Sequence, residues 1–368
     1  MKPVLIVGAG FSGAVVARQL AEAGCPSVVI DQRAHVAGNC HTSRDSETGV
    51  MQHVYGPHIF HTDDKGVWAF VNQYTEMMPY TLRIKTTVGG RVYSMPINLH
   101  TLNQYFGRAM SPTEARDFIG SKQKLFLSPP QTFEEQALSM VGVELYEAFF
   151  KGYTEKQWGV SPKELPASIL KRLPMRFSYD DNYFAHSYQG IPRDGYTRMV
   201  ENMLDHDLIQ LHLNTGFEKE HRSCYAHTFY SGAIDGYFGY REGLLGYRTL
   251  DFKHHRVAGD YQGTALMNYG EREVPYTRIT EHKHFAPWEI HEKTLYTREY
   301  SRLATVDDIP FYPIRLAEEK QQLTQYLAMV EQERDITFMG RLGTYRYLDM
   351  DVTIREALDT AKLYMYRR

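Results

Sequence analysis

The feature that most constrains this fold is the chain's first turn. Four apolar residues, Val4 to Val7, run into Gly8, Ala9, Gly10, Phe11, Ser12 and Gly13, and the chain goes on as Ala14, Val15, Val16, Ala17, Arg18, Gln19 and Leu20. An apolar run that ends in G-x-G-x-x-G and passes into helix-forming residues predicts strand, tight turn and helix. Gly8 serves the turn, Gly10 lets the backbone approach a pyrophosphate, Gly13 lets helix and strand pack closely, and the helix N-terminus holds the anion. The glycines alone are a weak signal, so the context carries the argument. The helix stops at Gly24, a second apolar run covers residues 28–30, and Asp31 follows about 20 residues after the glycines, where a carboxylate meets a ribose hydroxyl. An acidic residue there disfavours a 2′-phosphate, which leaves NAD or FAD. After Asp31 and Gln32, a basic residue (Arg33) and Gly38-Asn39 form the extension that flavin enzymes use as a second contact, with Asn39 where the usual glycine pair has its second member. The balance moves to FAD.

At 368 residues the chain is long enough for a large core in two or three units. A formal charge of −3 gives no reason to expect nucleic acid. Cys25, Cys40 and Cys224 are widely spaced and indicate neither a disulfide framework nor a zinc site. No run approaches the ~18 apolar residues of a membrane span. The apolar residues before Gly8 are too few for a signal segment, so a cytoplasmic location is expected.

In Tyr55, Gly56, Pro57, His58, Ile59, Phe60, His61, Thr62, the two histidines stand three apart. Gly-Pro makes this a turn entering a strand, where positions i and i+3 face opposite ways, so no metal is expected and a loop against a flavin ring is. Residues 80–87 and 91–95 flank Gly89-Gly90 as a β-hairpin. Ser111-Pro112 with Glu114, Ser161-Pro162 with Glu164, and Thr132 with Glu135 read as helix starts, so residues 98–178 read as a helical insert. Residues 248–252, 263–269, 276–281 and 294–300 read as antiparallel strands, residues 336–339 as a strand, Gly340-Arg341 as a turn, and Asp351 onward as an amphipathic helix.

The run Lys151 to Gly159 offers Tyr153 and Trp158 on a helix end, either to stack a nucleobase or to anchor the insert. Arg172 and Arg278 come from separate units, and arginines so placed either clamp a diphosphate or stand solvated at the surface.

The chain resembles the bacterial UDP-galactopyranose mutase family over nearly its whole length. The resemblance rests on G-A-G-F-S-G at 8–13, Y-G-P-H-I-F-H-T at 55–62, F-F-K-G-Y-T-E-K-Q-W-G at 149–159, E-L-P-A-S-I-L-K-R at 164–172, V-P-Y-T-R-I-T-E-H at 274–282 and G-R-L-G-T-Y-R-Y-L-D-M at 340–350. It implies an α/β architecture: a Rossmann-like FAD-binding domain (1–77, 193–236, 311–368), a helical-bundle insert (98–180) with a mobile lid at 164–175, and an antiparallel β-sheet domain (78–97, 181–192, 237–310). It also implies interconversion of a nucleotide-diphosphate sugar, foremost UDP-galactose, between pyranose and furanose forms. In the family, reduced FAD attacks the anomeric carbon through N5, giving a covalent flavin–sugar adduct.

Carried over residue by residue, the resemblance makes Arg172 and Arg278 the grip on the diphosphate, and places His58 and His61 beside flavin and sugar. Phe149, Phe150, Tyr153, Thr154, Trp158, Tyr183, Asn268, Glu299, Tyr312 and Tyr347 are expected on the substrate. Gly8, Gly10, Phe11, Ser12, Gly13, Asp31, Gln32, Gly38, Asn39, Tyr55, His58, Ile59, Arg341, Tyr347, Asp349 and Met350 are expected on FAD. Leu82 stands where the galactose enzymes usually have Asn, which raises a 6-deoxy sugar, as in dTDP-fucopyranose mutases, as the alternative. An external reductant, a homodimer and a role in cell-surface polysaccharide such as O antigen are family expectations. A flavin amine oxidase or desaturase, and an idle flavoprotein acting as a binding module, are the rivals from other classes.

Overall fold

The computed structural model describes residues 2–172, 175–314 and 316–367, with the side chains of residues 171–172 and 317–319 outside the description. The chain opens on β1 (Val4–Val7), α1 (Phe11–Glu22) and β2 (Ser27–Ile30). A short hairpin follows, β3 (Thr42–Arg44) and β4 (Met51–His53), then β5 (Phe60–Thr62), α2 (Lys65–Val71) and β6 (Met77–Pro79). β7 (Ile84–Val88) and β8 (Arg91–Met95) lead into α3 (Leu99–Phe106), α4 (Pro112–Gly120), α5 (Phe133–Leu145) and α6 (Gly152–Trp158). A π-helical stretch, Tyr146–Lys151, joins the last two helices, and a 3-10 stretch, Ala167–Arg172, comes after them. The chain returns through β9 (Tyr188–Pro192), α7 (Gly195–Leu204), β10 (Ile209–His212), β11 (Thr228–Tyr230) and α8 (Ile234–Tyr237). β12 (Tyr247–Ala258), β13 (Leu266–Tyr269), β14 (Arg278–Glu281), β15 (Lys293–Leu303) and β16 (Tyr312–Pro313) follow, then α9 (Ala317–Val330), β17 (Ile336–Phe338), α10 (Gly340–Gly343) and α11 (Met350–Arg367).

β1 lies inside an all-parallel sheet of order β10-β2-β1-β11-β17. A strand buried on both faces needs a continuous apolar run, and Val4 to Val7 supply one. α1 packs against it through Ala14, Val15, Ala17 and Leu20, all fully buried, and Ile354 and Ala361 of α11 close the same core. Burying each Val or Leu in such a core contributes ~1.5–3 kcal/mol.

The second sheet has seven strands in the order β16-β12-β15-β14-β13-β7-β8, antiparallel except where β13 meets β7. β7 and β8 are joined by Gly89 and Gly90, both at positive φ, as a two-residue hairpin requires. The helical elements from α3 to α6 stand against this sheet on a core that includes Leu102, Ile119, Ala137, Leu145 and Tyr146.

Three expectations are corrected. Ser161, Pro162 and Glu164 start no helix: Ser161 N–H donates to Glu164 Oε1 at 3.1 Å, but only a turn forms. Pro166 biases Leu165 toward extended backbone, and Pro166 then bridges to Thr132 as a strand would. Residues 181–192 do not join the large sheet, because β9 pairs with β5 and β6 in a separate three-stranded sheet. Gly340 and Arg341 begin a short helix, α10, instead of a turn. The capping boxes at Ser111 and Thr132 form as expected.

Candidate active site

β1 and β2 end at a cavity of about 870 Å³. Gly8, Gly10, Phe11, Ser12, Asp31, Gln32, Gly38, Asn39, His58, Arg341 and Met350 line it; Gly13, Tyr55, Ile59, Tyr347 and Asp349 do not. Gly8 takes a φ of 103°, and a Cβ placed on Gly13 would sit 1.9 Å from the Gly8 carbonyl oxygen. Only glycine allows that approach. Gly10 faces the backbone of Gly38, whose Cα would lie 3.8 Å from a Cβ on Gly10.

Asp31 is held by its neighbours: Oδ2 accepts from Ala9 N–H at 2.8 Å and Oδ1 from Arg33 N–H at 2.9 Å. Each oxygen keeps further lone-pair capacity for a ribose hydroxyl. Arg33 donates from Nη2 to Asn39 Oδ1 at 2.9 Å and lies over the Tyr55 ring at 5.0 Å. Its Nη1 is buried and has no partner among the described residues, so this cavity-lining cation offers a donor to a ligand. Asn39 thus does more than replace a glycine, since its amide also reaches Pro310 O at 3.4 Å, on the cavity-lining loop of residues 304–310. An acidic dinucleotide fits this set: bare backbone at Gly8 and Gly10, an α1 N-terminus and an unpartnered guanidinium N–H.

His58 Nδ1 faces the carbonyl of Gly56 at 2.9 Å. A carbonyl only accepts, so Nδ1 carries the proton and Nε2 keeps a lone pair. Burial, reinforced by the charge of Arg341, lowers the ring to about 4, and it stays neutral at pH 7. Tyr55 gives its hydroxyl to contact with His35 Nε2 at 2.7 Å.

The second cluster sits on three neighbouring strands. The register pairs Asn268 with Arg278 across β13 and β14, and Arg278 with Glu299 across β14 and β15. Arg278 donates from Nε to Asn268 Oδ1 at 3.0 Å and from Nη2 to the Tyr153 hydroxyl at 3.1 Å. Among the described residues, no carboxylate makes a salt bridge with it at 4.0 Å or less. Burial opposes its charge, but Tyr153, Glu299, Tyr312 and Tyr183 outweigh that and raise its pKa. Glu299, itself 4 % exposed, accepts from Thr280 Oγ1 at 2.6 Å. Burial pushes the Tyr183 phenol up to about 12 and raises Tyr312 too, so both stay as hydroxyl donors. The two clusters connect: Tyr312 stacks on Tyr347 at 5.8 Å, and the cavity-lining Arg341 lies over Tyr347 at 4.8 Å.

Other expected residues fall elsewhere. Leu82 (2 % exposed), Phe149 (5 %) and Phe150 (8 %) are packed in the apolar core under the helices, with Trp158 against it, and Ile59 belongs to that core too. Thr154 is buried. His61 stacks on Phe184 at 3.6 Å and meets His186 through their Nδ1 atoms at 2.7 Å. Asp349 uses its carbonyl to accept from Thr353 N–H at the start of α11. The side chain of Arg172 and residues 173–174 of the expected lid lie outside the described residues, while Leu165 and Leu170 of that segment are packed in the core.

Sequence reasoning missed the far wall of the cavity, where Thr215, Lys219, Asp235, Tyr237 and the loop of residues 304–310 stand. The run of Gly232, Gly236 and Gly239 was the available signal there. It also missed Lys156, whose ammonium donates to the carbonyls of Tyr269, Glu271, Val274 and Tyr276 at 2.6–3.0 Å and is lowered to about 8 by burial, against the pull of Glu271 and Glu273.

A model of UDP-galactopyranose mutase matches residues 148–347, and a model of NAD(P)-binding Rossmann-like domains matches residues 6–74. A Klebsiella pneumoniae protein named "Probable UDP-galactopyranose mutase" is 60% identical over 99% of this chain and 95% of its own length. The dTDP-fucopyranose mutase of Escherichia coli is 52% identical over 99% of both chains. Among solved structures, reduced UDP-galactopyranose mutase superposes with a TM-score of 0.79 at 15% identity, covering 100% of this chain and 94% of that one. A putrescine oxidase superposes less well, with a TM-score of 0.60 at 12% identity over 99% of both chains. An FAD cofactor, expected from the first turn, and isomerase chemistry, expected from the family resemblance, accompany this match, and the chain belongs to the UDP-galactopyranose mutase family.

Proposed function

We propose that this chain interconverts the pyranose and furanose forms of a nucleotide-diphosphate sugar, with UDP-galactose the first choice. The observation that carries the reading is Arg278, a guanidinium held by an amide and a phenol, without a carboxylate salt bridge among the described residues. Such a cation suits a diphosphate, whose negative charge grows as its bond to the anomeric carbon breaks. Arg172 is the second arginine of the grip by family resemblance. Tyr153, Tyr183, Tyr312 and Tyr347 supply hydroxyls around it, Asn268 orients the Arg278 fork, and neutral His58 presents Nε2 as an acceptor on the cavity wall.

Gly8, Gly10, Asp31, Arg33, Asn39, Arg341 and the N-termini of α1 and α11 would hold FAD, which when reduced supplies the nucleophile for the sugar. Tyr55 fixes His35 and Arg33 beneath that site. We further read the segment 164–175 as a lid, the boundaries given above as domain limits except that residues 181–192 leave the sheet domain, and the chain as a cytoplasmic homodimer that draws electrons from an external reductant. Its product would enter a cell-surface polysaccharide such as O antigen. Among the described residues no helix is long and apolar enough to cross a membrane.

A second substrate is favoured by one observation, the 52% identity to a dTDP-fucopyranose mutase, while Leu82, the residue that raised it in the sequence, is packed in the apolar core. The test is an anaerobic assay of dithionite-reduced protein with UDP-galactofuranose and dTDP-fucofuranose in separate reactions. Higher efficiency on the uridine sugar is expected. Preference for the deoxy sugar would move the assignment to it, and turnover of neither would overturn the mutase reading.

A further inference from the structure

The Tyr153 to Arg278 hydrogen bond joins α6 to the strand β14. Lys156 fastens the same helix to the segment that leads into that strand. It stands three residues after Tyr153, on the same side of the helix. Its ammonium reaches the carbonyls of Tyr269 at 2.6 Å, Glu271 at 2.9 Å, Val274 at 2.9 Å and Tyr276 at 3.0 Å. Tyr269 ends β13 and the other three lie in the connection between β13 and β14, whose flanking strands carry Asn268 and Arg278.

An ammonium has three donors, so four carbonyls share them, and the chain is wrapped around one charge. Two further contacts hold the same connection to α6. Gly152 lies so close to Gly270 that a Cβ there would sit 2.2 Å from its carbonyl oxygen, and Arg272 donates to Glu155 at 2.7 Å on the exposed side. On the other flank, Arg248 of β12 and Ser301 of β15 donate to Gln157 O at 3.0 and 2.6 Å, which leaves α6 little freedom to move.

Without the ammonium, four carbonyl dipoles would converge on one point unpaired, and the connection would open. Asn268 and Arg278 sit at its two ends, so the fork of Arg278 would lose its register against Tyr153. A displacement of about 1 Å at a charged contact is enough to cost ~100-fold in rate.

We propose that Lys156 is a positioning residue for the diphosphate grip: by gathering the carbonyls of the β13–β14 connection it fixes Arg278 relative to Tyr153. The proposal rests on the nucleotide-sugar reading. Lys156 does not touch the diphosphate; it acts through Arg278.

The test is a double-mutant cycle on FAD-loaded protein, with UDP affinity measured by calorimetry and flavin content by visible absorbance. Lys156→Met is expected to retain FAD and to weaken UDP binding at least tenfold. Lys156→Gln, which keeps an N–H donor, should recover part of the loss. In an Arg278→Ala background Lys156→Met should change UDP affinity less than twofold, a non-additivity that general loosening of the fold would not produce. Should Lys156→Met fail to fold, Lys156→Gln takes its place in the cycle. Unchanged affinity in the single variant, or losses that add in full, would overturn the positioning role while leaving the mutase reading intact. Should the wild-type protein bind dTDP but not UDP, the cycle is run with dTDP; a protein that binds neither would overturn that reading, and this one with it.

Discussion

At the scale of single residues, the site divides into groups that shape backbone and groups that wait for charge. Gly13 belongs to the first. With 1.9 Å between a Cβ and the Gly8 carbonyl, Gly13→Ala must push α1 off β1, and overpacking of this kind costs ~1–3 kcal/mol. The purified variant is expected to melt earlier and to carry less flavin per chain; full flavin content would show that the turn tolerates a side chain. Arg33 and Arg278 belong to the second group. Because Arg33 Nη1 is buried without a partner among the described residues, Arg33→Ala should weaken FAD retention by ~10-fold or more, the worth of a hydrogen bond from a charged donor, as read from flavin release on dilution. Arg278→Ala should retain FAD yet lower kcat/KM by ~100- to 1000-fold, because the lost contact acts on charge that develops as the diphosphate departs. Normal turnover in that variant would end its assignment to the diphosphate.

At the scale of elements, α5 shows how far periodicity can be read. Ala137, Val141 and Leu145 repeat at helical spacing and are buried as that spacing implies. The spacing conceals that Gly142, between them, has φ 76° and ψ 175°, a region essentially confined to glycine, and lies where a Cβ would be 2.5 Å from Lys122 O. Gly142→Ala is expected to lower stability by ~1–3 kcal/mol in denaturant unfolding while flavin binding, on the other sheet, is kept. The strand–turn–helix at Val4 to Leu20 was legible because every contact that defines it is local. Ser161 to Glu164 misled for the same reason: the capping contact is local and forms, but Pro166 breaks the run, so only a turn stands there and the helical stretch starts at Ala167 as 3-10. The Arg278 cluster was legible only through family resemblance, since Asn268, Arg278 and Glu299 meet by strand register, and Tyr153 reaches them from a helix more than a hundred residues away in sequence. The loop of residues 304–310 carries no motif at all, and its place on the cavity wall comes from the sheet that delivers it.

At the scale of the whole molecule, the parts are joined by neutral histidines, and this predicts how the protein fails in acid. His53, at the end of β4, donates its backbone N–H to His282 Nδ1 at 3.2 Å, and His282 Nε2 meets Thr297 Oγ1 of β15 at 2.8 Å. His53 Nδ1 in turn accepts from the backbone N–H of His58 at 3.3 Å, so the chain of contacts runs from the large sheet to the loop on the cavity. Each accepting nitrogen must be unprotonated for its bond to exist. Burial lowers His53 well below its ordinary value and His282 to about 3; His41 and His58 fall to about 4, also chiefly through burial. The unfolded chain therefore binds more protons than the folded one below pH ~6.5, the ordinary histidine value. The stabilisation is complete above that pH and is lost progressively as the pH falls toward 4 and below. Each unit of separation is worth about 1.4 kcal/mol, so several such groups are a large part of a typical folding free energy. Carboxylates such as Asp45, held low by the Arg256 side chain, respond only at more acid pH and leave this window to the histidines. Urea unfolding of the full chain at pH 7, 6 and 5 should show a midpoint that falls by pH 5, with flavin released alongside it. His282→Gln keeps a donor and an acceptor but cannot titrate, so it should flatten part of that slope even if it lowers the value at pH 7. A midpoint indifferent to pH in the parent chain, or an undiminished slope in the variant, would mean that the histidines do not carry the linkage.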